Sequence, residues 1–500
     1  MRFRFLIQVI GIVLGLPTLA ISAMQRLEER VMERTLSNGM KVLLVERHQA
    51  PIVAFNLTYK VGSAHEQSGA TGIAHLYEHM AFKGTPFLGT SDYEQEQPLL
   101  LQIETLHTKI MQAETEGAHP EQLNALKERF VALQDTARQW VVANELGEIY
   151  ERNGAVGLNA STGRDVTSYV VSLPANRLPL WVAIESDRMA HPVLREFYKE
   201  RDVVLEERHR SVETNPAGRL SEAFYATAFM AHPYGAPTLG WASDVGALSA
   251  TQTLAFFNIH YVPNNTILSI VGDIYPDQIM PLLEQSFGTI PAGLPPPRVV
   301  TVEPPQAGER RLEIEDEAHP QLLIGYHKPG IADPDDAVFD VIDILLSDGR
   351  SARLYKTLVD EKQIAVSVST GSGSPGSQFQ NLFTVSATPR APHTPTEVEE
   401  AIYEEIERLK REPVSAMELE KVVRHIDAAF IRSLQSNRGL AGSLGYFEAV
   451  AGSFRYLSRN REAIARVTPE DVMRVARTYF AKKNRVVATR VQVLAPPPSM

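Results

Sequence analysis

The chain has 500 residues and no cysteine, with 49 Lys and Arg against 60 Asp and Glu for a formal net charge of −11. That length exceeds what one hydrophobic core organises and calls for at least two domains. The acidic balance argues against a nucleic-acid binder and leaves cationic or neutral peptides as compatible partners. Without cysteine there is no disulfide, thiolate metal site or lipidated cysteine, so any metal must be held by His and carboxylates.

Arg2 and Arg4 precede an apolar run over 5–20, and the small residues Ser22 and Ala23 follow. This is the layout of a secretory signal over 1–23, cleaved near Ala23, and it predicts an exported, periplasmic mature protein. The run is short for a bilayer span; an uncleaved N-terminal anchor is the competing reading, and no other stretch could cross a membrane. Further on, Asn38-Gly39 marks a hairpin turn before strands over 41–45 and 52–59.

The next segment, 71–81, has good helix formers, no internal proline and Thr71 as the predicted N-cap. It contains His75-Leu76-Tyr77-Glu78-His79. Positions four apart share a helix face, so His75 and His79 can offer two nitrogens to one metal, while Glu78 beside them can reach a water. Two His and one Glu in five residues also occur on ordinary helix surfaces. The order H-x-x-E-H, continued by Met80-Ala81-Phe82-Lys83-Gly84-Thr85, is the inverzincin arrangement and points to a metallopeptidase.

Residues 94–149 show apolar positions at helical spacing (Leu101, Ile103, Leu106 and Ile110, then Leu123, Leu126, Phe130 and Leu133) on either side of Gly117-Ala118-His119-Pro120. They predict an inserted helical hairpin whose apolar stripe serves packing. A polar turn over 157–162 leads into a strand over 167–173, and 178–189 has helical period.

A catalytic zinc takes three protein ligands, so one more must come from elsewhere. The candidate segment is 200–208, where Glu200 and Glu207, seven apart, share a helix face; one could bind metal and the other support it. The proline-rich 291–298 is stiff and cannot join a helix, which makes 291–305 the predicted linker between a catalytic domain over 24–290 and a second domain over 306–500. The second half opens with strands over 311–314 and 321–326 and a helix over 337–346, and it has no H-x-x-E-H.

Taken together, the zinc helix, Asn159-Ala160-Ser161-Thr162 and Glu200-Arg201-Asp202-Val203-Val204 resemble the pitrilysin/insulysin family of zinc metallopeptidases, nearest its mitochondrial-processing-peptidase-like branch. The resemblance spans nearly all of the mature chain. It implies an α+β fold of two homologous halves, each a mostly antiparallel sheet flanked by helices. It implies one Zn2+ per chain on His75, His79 and Glu207, with Glu78 as general base on a zinc-bound water and Glu200 in support. Asn159 and Ala160 correspond to the family's contacts with the substrate backbone on an edge strand. Phe82 either lines the pocket beside the scissile bond or packs in the core.

Two departures stand out. The gap from His79 to Glu207, roughly 130 residues, is long for the family, and the predicted hairpin accounts for most of the excess. Where the family places a substrate-contacting Arg and, seven residues later, a Tyr, this chain has Val359 and Val366. The resemblance therefore implies a zinc-bearing endopeptidase subunit that needs a homologous partner carrying the Arg and Tyr. A noncatalytic structural subunit on the same scaffold is the alternative. A solute-binding protein fits the export signal but leaves the five-residue motif without a role.

Overall fold

A computed structural model describes residues 28–493, so the predicted signal peptide lies outside the described residues. Among those described, no helix is long and apolar enough to cross a membrane. The fold is mixed α/β and packs as two compact units, each built on one sheet.

The first unit comprises residues 32–208 and 238–298. Its strands are β1 (Val31–Thr35), β2 (Lys41–Glu46), β3 (Ile52–Tyr59), β4 (Val156–Thr162), β5 (Thr167–Pro174) and β6 (Thr266–Gly272), in the order β1-β2-β6-β3-β5-β4. β2 runs parallel to β6; the β6–β3, β3–β5 and β5–β4 pairs are antiparallel. β6 is buried throughout and β3 everywhere but Ile52, as expected of near-continuous apolar strands covered on both faces, whereas β5 alternates buried and half-buried positions. β4 is the outer strand and leaves one edge unpaired. Trp181, 2% exposed, stacks on Phe55 with ring centroids 4.2 Å apart at the centre of the core.

Six helices of this unit frame the region of interest: α1 (Ile73–Met80), α2 (Tyr93–Thr115), α3 (Pro120–Arg138), α4 (Glu145–Arg152), α5 (Leu178–Ala190) and α6 (Phe197–Arg208). The predicted hairpin is α2 and α3. Asp92 caps α2 by accepting from the Gln95 amide, Pro120 opens α3, and the short α4 adds a third helix that the sequence pattern did not signal.

The start of α1 corrects the expected cap. Its N-cap is Gly72, in the left-handed region at φ +87°, and no side chain of the cap residue closes it. The Thr71 hydroxyl instead donates to Asp244 Oδ2 (2.7 Å) and accepts from the Trp241 amide (2.9 Å). The open amides are taken by Glu66, whose two carboxylate oxygens accept from Gly72 N (2.8 Å) and Ala74 N (2.9 Å). Burial nonetheless pushes the Glu66 carboxyl up to about 8, against the pull of these two amides.

Among the described residues, the second unit comprises 28–31, 209–237 and 299–493. Its sheet is ordered β7 (Arg310–Asp316), β11 (Arg485–Gln492), β8 (Gln321–Lys328), β10 (Asn381–Pro389) and β9 (Ala365–Ser374). β7 is parallel to β11 and the other neighbours are antiparallel. This repeats the pattern of β2-β6-β3-β5-β4, so both halves are built on one plan, with a first strand lying parallel to the last. Where the proline-rich stretch alone predicts one break in the chain, packing also separates 209–237. Pro216–Ala228 is a helix whose buried Leu220 and Phe224 belong with the second sheet, against β7 and β11.

Two substitutions test this packing. Trp181→Ala leaves a large cavity beside Phe55 and is expected to cost about 3–5 kcal/mol in denaturant unfolding. Glu66→Ala strips the cap from α1 and is expected to cost about 1–2 kcal/mol, with faster amide exchange at Gly72 and Ala74 by hydrogen-exchange mass spectrometry.

Candidate metal centre

The site is assembled where α1 meets α6. The close approach of the 238–244 segment to the start of α1 depends on two glycines. A Cβ on Gly72 would stand 2.8 Å from the Leu239 carbonyl oxygen, and one on Gly240, at φ +74°, would stand 2.3 Å from that of Thr71. The same segment holds α6, because Arg208 Nη1 donates to the Gly240 carbonyl at 2.7 Å. Both helices are therefore tied to one short piece of backbone.

Along α1, His75 and His79 point the same way, with ring centroids 4.8 Å apart. Glu207, near the end of α6, brings Oε2 to 3.4 Å from His79 Nε2 and 3.8 Å from His75 Nε2. One ligand atom from each of the three residues lies within 4.8 Å of the others. Two ligands on a tetrahedral zinc, at bonds of about 2.0–2.1 Å, stand roughly 3.3–3.5 Å apart. The 3.4 Å contact matches that spacing and the 3.8 Å one lies just beyond it, so the three residues could hold a single small divalent ion.

The rest of the donor set also fits. His79 Nδ1 lies 3.0 Å from Glu200 Oε1, which assigns the proton to Nδ1 and leaves Nε2 as the face toward Glu207. The other oxygen of Glu200 is held by Lys83 Nζ at 2.7 Å. Hydrogen bonding to His79, with further help from Lys83, lowers the Glu200 carboxyl to about 2 despite its burial. With both its oxygens engaged, Glu200 has none left for a metal, whereas Glu207 does. Burial, reinforced by the charge of His79, lowers His75 to about 4, so its imidazole is neutral, the form a metal requires. Burial opposes charging of His79 too, but Glu200 overrides it and the net shift is upward.

Glu78 projects from the same helix toward β4. Burial raises its carboxyl, against hydrogen bonding from Thr162, and the negative charge of Glu207 pushes the same way. Its Oε2 is buried with no protein donor, and His75 Nδ1 is buried with no hydrogen-bond partner. A buried carboxylate oxygen without a donor is costly in a finished core and is expected where a water or substrate group completes the arrangement.

Asn159 and Ala160 lie on β4, paired with Val170 and Tyr169 on one side and unpaired on the other. Phe82 is half-buried against the core; its ring lies 5.4 Å from the Arg188 guanidinium and lines a small cavity with Leu158, Tyr169 and Trp181. Phe82 therefore packs against the core. Val366 is exposed on β9 and Val359 half-buried in the π-helix Tyr355–Glu361, both in the second unit.

Sequence reasoning missed Lys83, Glu66 and Thr162. Lys83 lies past the end of α1, in the string that continues the zinc motif, and reaches Glu200 from the loop. Glu66 lies only six residues ahead of Gly72 but outside any capping pattern, and Thr162, within the Asn159–Thr162 string, meets Glu78 only through tertiary structure.

The family model for the insulinases (peptidase family M16) matches residues 41–119 and 130–241, and that for the peptidase M16 inactive domain matches 247–426. The chain is 26% identical over 459 residues to zinc protease PqqE of Helicobacter pylori, covering 89% of each protein. Among solved structures it is similar to a protease from Helicobacter pylori, at TM-score 0.78 and 25% identity over 92% of this chain and 99% of that one. It also shares its fold with a Pseudomonas fluorescens structure described as a peptidase M16 inactive domain, at TM-score 0.71 and 17% identity over 94% and 100% of the two chains. With both family models matched in tandem and the three candidate metal ligands converging in the first unit, the chain belongs to the M16 peptidase family.

Proposed function

We propose that the protein is a zinc-dependent endopeptidase acting on peptides or unfolded segments, with one zinc ion on His75, His79 and Glu207. The observation that carries this reading is the approach of Glu207 Oε2 to the Nε2 atoms of both imidazoles. Relatives named zinc proteases support the choice of metal.

Zinc, when bound, supplies a Lewis acid that makes a water acidic and polarises a carbonyl. The protein's own part is proton transfer and positioning. Glu78, with its raised carboxyl and open Oε2, takes the proton of the attacking water and returns it to the leaving amine. Glu200 keeps His79 oriented with Nδ1 protonated. The free edge of β4, at Asn159 and Ala160, accepts an extended substrate as an added strand, and Phe82 lines the pocket beside the scissile bond.

Charge developing on the scissile carbonyl oxygen calls for donors beyond the metal, and the side chains of Val359 and Val366 have none. A homologous subunit of the mitochondrial-processing-peptidase-like kind, carrying Arg and Tyr, would provide them, which makes this chain the zinc-bearing partner. The leader over 1–23 supports export to the periplasm.

Glu78→Gln is expected to retain one zinc per chain by elemental analysis while cleavage of a mixed peptide library falls about 10²–10⁴-fold. Wild-type protein stripped with a chelator should lose cleavage and regain it on zinc addition. Stoichiometric zinc distinguishes this reading from a noncatalytic subunit, which would hold none. The isolated chain is expected to cleave weakly and to gain activity when mixed with an Arg- and Tyr-bearing homologue; full activity from a chain verified as a monomer by light scattering would rule the partner out.

A further inference from the structure

The most completely buried ion pair near the site joins the inserted hairpin to the metal centre. Arg195 and Glu96 have side chains 0% exposed. Arg195 lies just ahead of α6, and Glu96 is in the first turn of α2. The guanidinium binds the Glu96 carboxylate through Nε (3.0 Å to Oε1) and Nη2 (3.2 Å to Oε2). Its remaining N–H groups donate to the backbone carbonyls of Lys83, Leu88 (2.9 Å) and Thr85 (2.8 Å).

The 83–89 loop is thus wrapped around one cation. Gly84 and Gly89, at φ +96° and +82°, make the wrap passable: a Cβ on either would lie within 2.4 Å of a carbonyl oxygen across the loop. The first residue of that loop is Lys83, whose ammonium holds Glu200, which in turn holds His79. A continuous set of contacts therefore runs from Glu96 through Arg195, the Lys83 backbone, the Lys83 side chain and Glu200 to an imidazole of the site.

We infer that Glu96, carried by the inserted hairpin, is a positioning residue for the metal centre: it neutralises Arg195, Arg195 sets the backbone of Lys83, and Lys83 keeps Glu200 on His79. The hairpin is then part of how this chain holds its metal, and not an ornament on the family fold. A buried guanidinium deprived of its carboxylate cannot stay where it is without cost, so the loop, and Lys83 with it, shifts. This inference rests on His79 being a metal ligand.

The test uses the full chain and zinc alone, with affinity measured by competition against a chromophoric chelator and stability measured by thermal melting of the metal-free protein. Glu96→Gln and Lys83→Met are each expected to weaken zinc binding about 10–100-fold, as loss of a partner that orients a ligand does. The double variant should be little weaker than the worse single one, because both act through one contact to Glu200. Glu96→Asp, which keeps the charge but shortens the reach, should weaken zinc less than Glu96→Gln and serves if the latter does not fold. Asp427→Asn breaks another buried pair, that with Arg461, in the second unit, and should lower the melting temperature with zinc affinity unchanged. Unchanged zinc affinity in Glu96→Gln or Glu96→Asp, or losses that multiply in the double variant, would overturn the inference. If the wild-type chain itself takes up no zinc, the metal reading fails instead.

Discussion

The site depends on one tertiary constraint: two helices more than a hundred residues apart in sequence are brought close enough for a carboxylate on one to share an ion with two imidazoles on the other. Neither helix does this alone. α1 is short and begins at a glycine that cannot cap it, so its first amides are handed to Glu66 in the loop just ahead of it. α6 is held near its end by Arg208 on the carbonyl of Gly240, in the same segment that passes the start of α1. At Gly72 and Gly240 the backbones nearly touch, and that closeness sets the separation of the two helices.

Electrostatics sort the acids within this frame. Glu78, Glu200 and Glu207 lie near the same pair of histidines, yet each meets a different environment. Glu200 is bracketed by His79 and Lys83 and stays ionised with both oxygens in use. Glu207 has a side chain 40% exposed and an oxygen turned to both imidazoles. Glu78 is buried, with its carboxyl raised and one oxygen unclaimed. One carboxylate held ionised, one turned to the imidazoles and one buried with its carboxyl raised thus emerge from three identical side chains by surroundings alone.

Much of the first unit was legible in the sequence because its signals are local. The Asn38-Gly39 turn, the strands around it and the i, i+4 histidines all depend on neighbours within a few residues, and each appears close to where its pattern puts it. The Glu200 and Glu207 pair was legible as a shared face, but the spacing did not divide their tasks; Lys83 and His79 do that. Thr71 misled because a threonine before a helix has a local use, capping, that tertiary partners can outbid; here Asp244 and Trp241 take its hydroxyl. The affiliation of 209–237 was illegible for a related reason. The chain runs on from α6 through a wide turn over 209–213 with no glycine or proline to mark a break, and only the packing of Leu220 and Phe224 assigns the Pro216–Ala228 helix to the second sheet.

The central claim is a position in space, and anomalous diffraction from crystals of the zinc-loaded protein, recorded on both sides of the zinc edge, tests it most directly. The account predicts one anomalous peak per chain within bonding distance of His75 Nε2, His79 Nε2 and a carboxylate oxygen of Glu207. A peak coordinated without Glu207, or no zinc peak between the two imidazoles, would contradict it.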